Sequence, residues 1–162
     1  MLARLRLLYR LVALASAGAL YACATSPSLP QQSVSIERTA CYGPCPVYRF
    51  TLYSDGRYVW QGREHVSVLG TVRGWMGART YAAAMELLGD ARYLEFKDSY
   101  ASDSECEVWA TDNSTVIIVV EDASSRKKIT HYRGCQGFAR QDALTQLEEN
   151  MDKVLRTREF IR

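Results

Sequence analysis

Val47-Tyr48-Arg49-Phe50-Thr51-Leu52-Tyr53 and Arg57-Tyr58-Val59-Trp60-Gln61-Gly62 flank Ser54-Asp55-Gly56, and this arrangement constrains the fold more than any other segment. Two alternating apolar runs around an Asp-Gly turn make an antiparallel ribbon. If the loop has three residues with Gly56 at the left-handed bulge position, Tyr48, Phe50 and Leu52 share a face with Tyr58 and Trp60. A two-residue Asp55-Gly56 loop would place Trp60 opposite Thr51 and turn the return strand over. The first register buries more aromatic surface on one side, so it is the one expected.

Further strands follow from the same periodicity. Val34-Ser35-Ile36-Glu37-Arg38-Thr39 alternates, and Gly70 to Trp75 reads as another strand after the loop at Glu64-His65. Thr115 to Glu121 is an almost continuous β-branched run, the pattern of a central strand with little exposure on either side. Lys128 to Tyr132 pairs back to it across an Asp122–Lys127 turn. Arg126-Lys127-Lys128 reads as a solvated hairpin tip, with a phosphate or lipid-headgroup patch as the alternative. Tyr81, Ala84, Met85 and Leu88 fall at helical spacing, with Thr80 as N-cap and Gly89 as stop. Leu144, Leu147, Met151, Val154 and Leu155 form the apolar stripe of a second helix, with Glu148, Glu149, Asp152 and Lys153 on its wet side. The expected architecture is a single α+β domain, an antiparallel sheet with two helices packed on one face.

The first residues have a different character. Arg4, Arg6 and Arg10 precede the 12-residue apolar run Leu11–Ala22, too short to span roughly 30 Å of hydrocarbon. Leu20-Tyr21-Ala22-Cys23 then reads as a lipobox, whose cysteine thiol takes a diacylglycerol before cleavage. The expected organisation is a lipoprotein signal over 1–22, a lipidated Pro-containing tether over 23–33 and the folded domain over 34–162. The expected location is the bacterial cell envelope, lipid-anchored. Ala24 after the cysteine points to the outer membrane, with the domain facing the periplasm. Plain secretion and an uncleaved anchor are the alternatives. Without the signal, 17 Lys/Arg face 18 Asp/Glu, a net charge of −1, which leaves no footprint for nucleic acid.

Beyond Cys23 four cysteines remain, an even number in an oxidising compartment, which argues for two disulfides. Four cysteines allow three pairings. Cys41 and Cys45, around Gly43-Pro44, can close a small loop. Pairing Cys106 with Cys135 requires Cys106 to bend back, because Cys135 lies opposite about residue 112 when counted from the hairpin turn. Redox chemistry is the alternative for the first pair. Such chemistry uses Cys-x-x-Cys at a helix N-terminus, whereas this spacer has three residues and a strand follows. Convergence of the four thiols on zinc is the weaker alternative in an oxidising compartment, and no metal or cofactor is expected. Asp98, Asp103, Glu105, Glu107 and Asp112 lack the spacing of a calcium loop. His65, beside Glu64, and His131, beside Tyr132, are the only histidines; no Gly-x-Ser-x-Gly, Ser-x-x-Lys or phosphate-binding glycine loop occurs.

Cys41-Tyr42-Gly43-Pro44-Cys45-Pro46-Val47-Tyr48, followed by Ser54-Asp55-Gly56 and Gly62, resembles a family of bacterial secreted and lipoprotein domains of unknown function. These carry a Cys-x-Gly-x-Cys-Pro-x-Tyr motif and then an Asp-Gly hairpin. The likeness continues through Lys97-Asp98-Ser99-Tyr100, Thr111-Asp112 and Phe160, and covers roughly residues 34–160. It implies no activity, substrate or cofactor, and Cys106 and Cys135 depart from the family pattern. With ten Tyr and three Trp, the leading expectation is a non-catalytic binding module with an envelope protein or peptidoglycan partner. Its candidate surface comprises Tyr58, Trp60, Lys97, Asp98 and Tyr100. The alternatives are a structural or assembly lipoprotein and an enzyme, hydrolytic or thiol-disulfide exchanging.

Overall fold

The computed structural model describes residues 32–162. The signal, Cys23 and nearly all of the tether lie outside the described residues. Alternation drives strands β1 (Ser33–Arg38), β2 (Val47–Tyr53), β3 (Arg57–Glu64) and β4 (Gly70–Trp75). Helix α1 (Ala78–Asp90) follows, then the two-residue strands β5 (Ser99–Tyr100) and β6 (Val108–Trp109). The hairpin β7 (Thr115–Glu121) and β8 (Arg126–Tyr132) leads to β9 (Cys135–Gln136), α2 (Gln141–Val154) and α3 (Arg158–Ile161). The main sheet runs β4-β3-β2-β1-β7-β8-β5, and β6 pairs with β9 in a small second sheet. All pairings are antiparallel except β5 with β8, which is parallel. The result is a small α+β domain with three helices rather than the two expected; α3 is a single short turn, below the length at which apolar spacing shows.

The β2–β3 register places Leu52 opposite Tyr58 and Phe50 opposite Trp60, so the loop is the three-residue one. Gly56 has φ +87°, and a Cβ there would lie 2.4 Å from the Gly77 carbonyl carbon. The turn is therefore packed against the start of α1, and the Met76 N–H donates to the Gly56 carbonyl at 2.9 Å. Trp60 is fully buried, stacked on Tyr48 at 4.8 Å and on Phe160 at 4.7 Å, with its indole N–H donating to Val68 O at 2.8 Å. Inward residues of β1, β2, β3, β7 and β8 join Ala84 and Leu88 of α1 and Leu144, Leu147 and Met151 of α2 in one apolar cluster.

Several local expectations are corrected. Thr80 lies inside α1, where its hydroxyl donates back to Met76 O at 2.8 Å, and Gly77 occupies the N-cap. Gly89 is also helical; Arg92, at φ 49°, turns the chain after the C-cap Ala91. Glu148 is buried rather than wet. Strand β7 buries Val116 and Ile118 but leaves Ile117 and Val119 half-exposed on its other side. Arg126-Lys127-Lys128 belongs to β8, and the hairpin tip is Asp122–Ser125 instead, tied by the Asp122 carboxylate to the Ser124 and Ser125 amides.

Candidate functional site

At one end of β1 and β2 the chain places four polar side chains on the core side of the sheet. Arg38 closes β1, Tyr48 lies opposite it on β2, Asp152 comes from the last turn of α2, and Thr157 follows that helix. Arg38 donates to Asp152 through Nε at 2.8 Å and through its terminal nitrogen at 2.6 Å. The Tyr48 hydroxyl donates to the other Asp152 oxygen at 2.5 Å, and the Thr157 hydroxyl donates to that same oxygen at 2.9 Å. Burial pushes the Tyr48 phenol well above its usual range, and the adjacent Asp152 charge adds to that. Burial works against the Arg38 charge, but Asp152 and Tyr48 outweigh it and hold the guanidinium firmly protonated. One carboxylate thus receives an arginine and two hydroxyls, the satisfied state that a buried charge requires.

This network floors a groove of about 500 Å³. Pro46 and Ser114 line it, as do Glu149, Lys153 and Arg158. Cys45 also borders it, bonded to Cys41 across a Cα separation of 5.7 Å. The loop so closed carries Tyr42 89 % exposed. The second disulfide joins Cys106 to Cys135 at 5.2 Å. The bend that Cys106 needs is supplied by a 3-10 turn at Asp103–Glu105 and by the β6–β9 pairing, in which Trp109 faces Cys135.

The five residues expected to form a binding surface do not come together. Trp60 and Tyr100 are buried, and Tyr58 is half-buried against Phe50. Tyr58 and Trp60 lie on β3, near one edge of the sheet, whereas Tyr100 lies on β5 at the other. Tyr100 stacks on Phe138 at 4.1 Å and accepts the Lys97 amide at 3.0 Å. Only Lys97 and Asp98 are exposed, and Asp98 pairs with Lys127. Aromatic side chains alternating toward a core are core residues first. The exposed aromatics sit elsewhere, on three separate elements: Tyr42, Trp75 and Trp109.

His131 does meet a carboxylate. Its Nδ1 lies 2.6 Å from Glu148 Oε1, and Arg133 donates to Glu148 Oε2 at 2.7 Å. The pair is buried, and the imidazole packs edge-on against Tyr100 and Phe138. Its Nε2 has no hydrogen-bond partner among the described residues. His131 does not line the groove. The exposed His65 has no such partner among the described residues and sits at φ 51° in the β3–β4 loop. Among the described residues no group of three or more His, Cys, Asp or Glu gathers as a metal site.

Sequence reasoning passed over Arg38, Glu148 and Asp152. Glu148 stands four residues after Leu144 and seven before Leu155, on the apolar stripe itself, and Asp152 stands one turn further on. That spacing carried the signal for Glu148; Asp152 falls outside the stripe and had none.

The model of a family described as domain of unknown function DUF6438 matches residues 32–155. The chain belongs to that family. The match takes in the groove-forming residues Arg38, Tyr48 and Asp152 and both disulfides, and it ends at Leu155, before Thr157 and α3. No curated protein matches the chain.

Proposed function

We propose that the protein is a lipid-anchored, non-catalytic binding module of the bacterial cell envelope. In this reading Cys23 carries the lipid, the domain faces the periplasm from the outer membrane, and the groove beside Cys41–Cys45 receives a polar segment of an envelope protein or peptidoglycan. One observation carries it. Every group at the groove floor with chemistry to offer is already committed: Asp152 to three donors, Tyr48 as a donor with its proton held more tightly than usual, and Cys45 to a closed disulfide. Such a floor fixes shape and hydrogen-bonding groups rather than moving a proton. The exposed Lys153, Glu149 and Arg158 at its margin suit a partner bearing both charges.

The test is site-specific photo-cross-linking in intact envelopes from Ser114, at the groove, against Ala83, exposed on α1. A discrete adduct from Ser114 and none from Ala83 supports the groove as the binding site. Equal smears from both positions, or turnover of an envelope substrate that Tyr48→Phe abolishes, overturn it. The anchor is tested separately: a fatty-acid probe should label the wild-type chain and not Cys23→Ser.

A further inference from the structure

The strand side chains turned away from the core form a second surface with its own chemistry. Its cross-strand rows follow from the register. One row reads Arg73, Val59, Thr51, Ser35, Val119 and Lys128; the next reads Thr71, Gln61, Arg49, Glu37, Ile117 and Thr130. Arg57 and Arg126 lie in the row beyond Arg73 and Lys128, and Arg63 lies beyond Gln61 on β3. These strands present six exposed cations (Arg49, Arg57, Arg63, Arg73, Arg126 and Lys128) against three carboxylates, Glu37, Glu64 and Glu121. Counting Asp55, which pairs with Arg57 at the turn, the face carries +2. Residues 32–162 sum to −1, so everything else described carries −3. The domain is nearly neutral overall and electrostatically two-sided.

The positive charge is also incompletely neutralised. Glu37 is shared by Arg49 and Arg63, and Glu121 reaches Arg126 only at 3.6 Å. Arg73 and Lys128 make no ion pair among the described residues. They stand at the two ends of one row, five strand spacings apart, which is about 24 Å at the usual interval. Between them lies a shallow depression of about 310 Å³. Arg49 and Arg126 border it, together with the side chains of Ser35, Thr51 and Tyr53 and one carboxylate, Glu121, which faces Arg126. Two guanidinium groups and these three hydroxyls outnumber the single carboxylate around this open hollow, and they are the donor types a phosphate takes.

We infer that this basic sheet face docks the domain on an anionic phospholipid surface, the depression taking one headgroup phosphate. The charge is spread over a broad face rather than focused in a cleft, which fits a planar array of anions. The length of chain before β1 agrees, and this point alone rests on the anchored reading above. Ser33, the first residue of β1, lies at the margin of the depression and ten residues after Cys23, a reach of at most about 36 Å. A lipid on Cys23 would therefore keep the face within reach of the bilayer that holds it.

The experiment uses residues 24–162, without the anchor. Among the described residues every buried one lies between Val34 and Thr157, so this chain keeps the whole of the described core. Co-sedimentation compares vesicles of phosphatidylcholine with vesicles containing about one-third phosphatidylglycerol, where each cation near the surface adds about fivefold. The wild type should sediment with the anionic vesicles only and be released at 1 M salt, where the screening length falls to about 3 Å. Arg73→Ala/Lys128→Ala should weaken partitioning roughly 25-fold with an unchanged melting temperature, since neither side chain holds a structural partner. Equal binding to both vesicle types overturns the inference. So does undiminished binding by the double variant, or binding to soluble polyphosphate without binding to vesicles. Because the anchor is absent, none of these outcomes bears on whether Cys23 is lipidated.

Discussion

At the scale of single residues the strongest determinants are inward-facing rings and the carboxylates placed among them. Trp60→Ala removes a side chain packed between two rings and should cost about 3–5 kcal/mol. Trp75→Ala, at a ring 70 % exposed, should cost under about 0.5 kcal/mol; urea titration of the two variants checks the contrast. The burial of Trp60 was legible in the sequence because the Asp-Gly turn sets the register and the register sets the face. The groove floor was not legible. Arg38 ends an ordinary amphipathic strand, and Asp152 looks like any helical surface carboxylate until the helix is docked on that strand. Tyr48→Phe tests the network directly. It deletes one donor to Asp152 while Arg38 and Thr157 remain, so the expected cost is about 1–2 kcal/mol. A double-mutant cycle with Thr157→Val should show coupling between the two hydroxyls, which share one oxygen.

At the scale of elements, turns and caps do the specifying, and here the sequence was less informative. Gly56 was readable as a left-handed turn residue, but its packing on the Gly77–Ala78 backbone was not, because that contact joins the hairpin to a helix beginning twenty-two residues later. Gly56→Val should therefore destabilise beyond the roughly 1 kcal/mol of a positive φ alone, and Arg57→Ala beside it should not. Just past the C-cap Ala91 of helix α1, Arg92 takes the left-handed conformation for which glycine is the usual marker, so the sequence carries no signal for where the helix ends. The β7–β8 turn carries a pH signature. Hydrogen bonds from the Ser124 and Ser125 amides and hydroxyls hold the Asp122 carboxylate down to about 2. Since the folded value is the lower one, the turn's stabilisation is complete above the unfolded value near 4 and disappears as pH falls toward 2. Protection of the Ser124 and Ser125 amides, taken relative to the intrinsic exchange rate at each pH, should fall across that window, and Asp122→Ala should show no protection there at any pH.

At the scale of the molecule, the α+β architecture and the two disulfides connect a sheet whose core side is aromatic and whose other side is basic. The aromatic side predicts the alkaline limit of the fold. Tyr48 and Tyr93 are both buried donors: Tyr48 to Asp152, and Tyr93 to the carbonyls of Ile118 at 3.0 Å and Lys127 at 2.9 Å. Burial raises both phenols well above their ordinary value, with the nearby carboxylates Asp152 and Asp98 adding to the shift. A phenol whose value is raised on folding contributes stability that is complete below the unfolded value of about 10 and is lost as pH rises beyond it. Tyr48 and Tyr93 therefore keep their protons until the chain unfolds. Their share of the phenolate absorbance should appear in one step, coincident with loss of near-ultraviolet circular dichroism. In Tyr48→Phe that step should shrink by one phenol. A single smooth titration, complete before any loss of structure, would mean that these hydroxyls are not held as the structure places them.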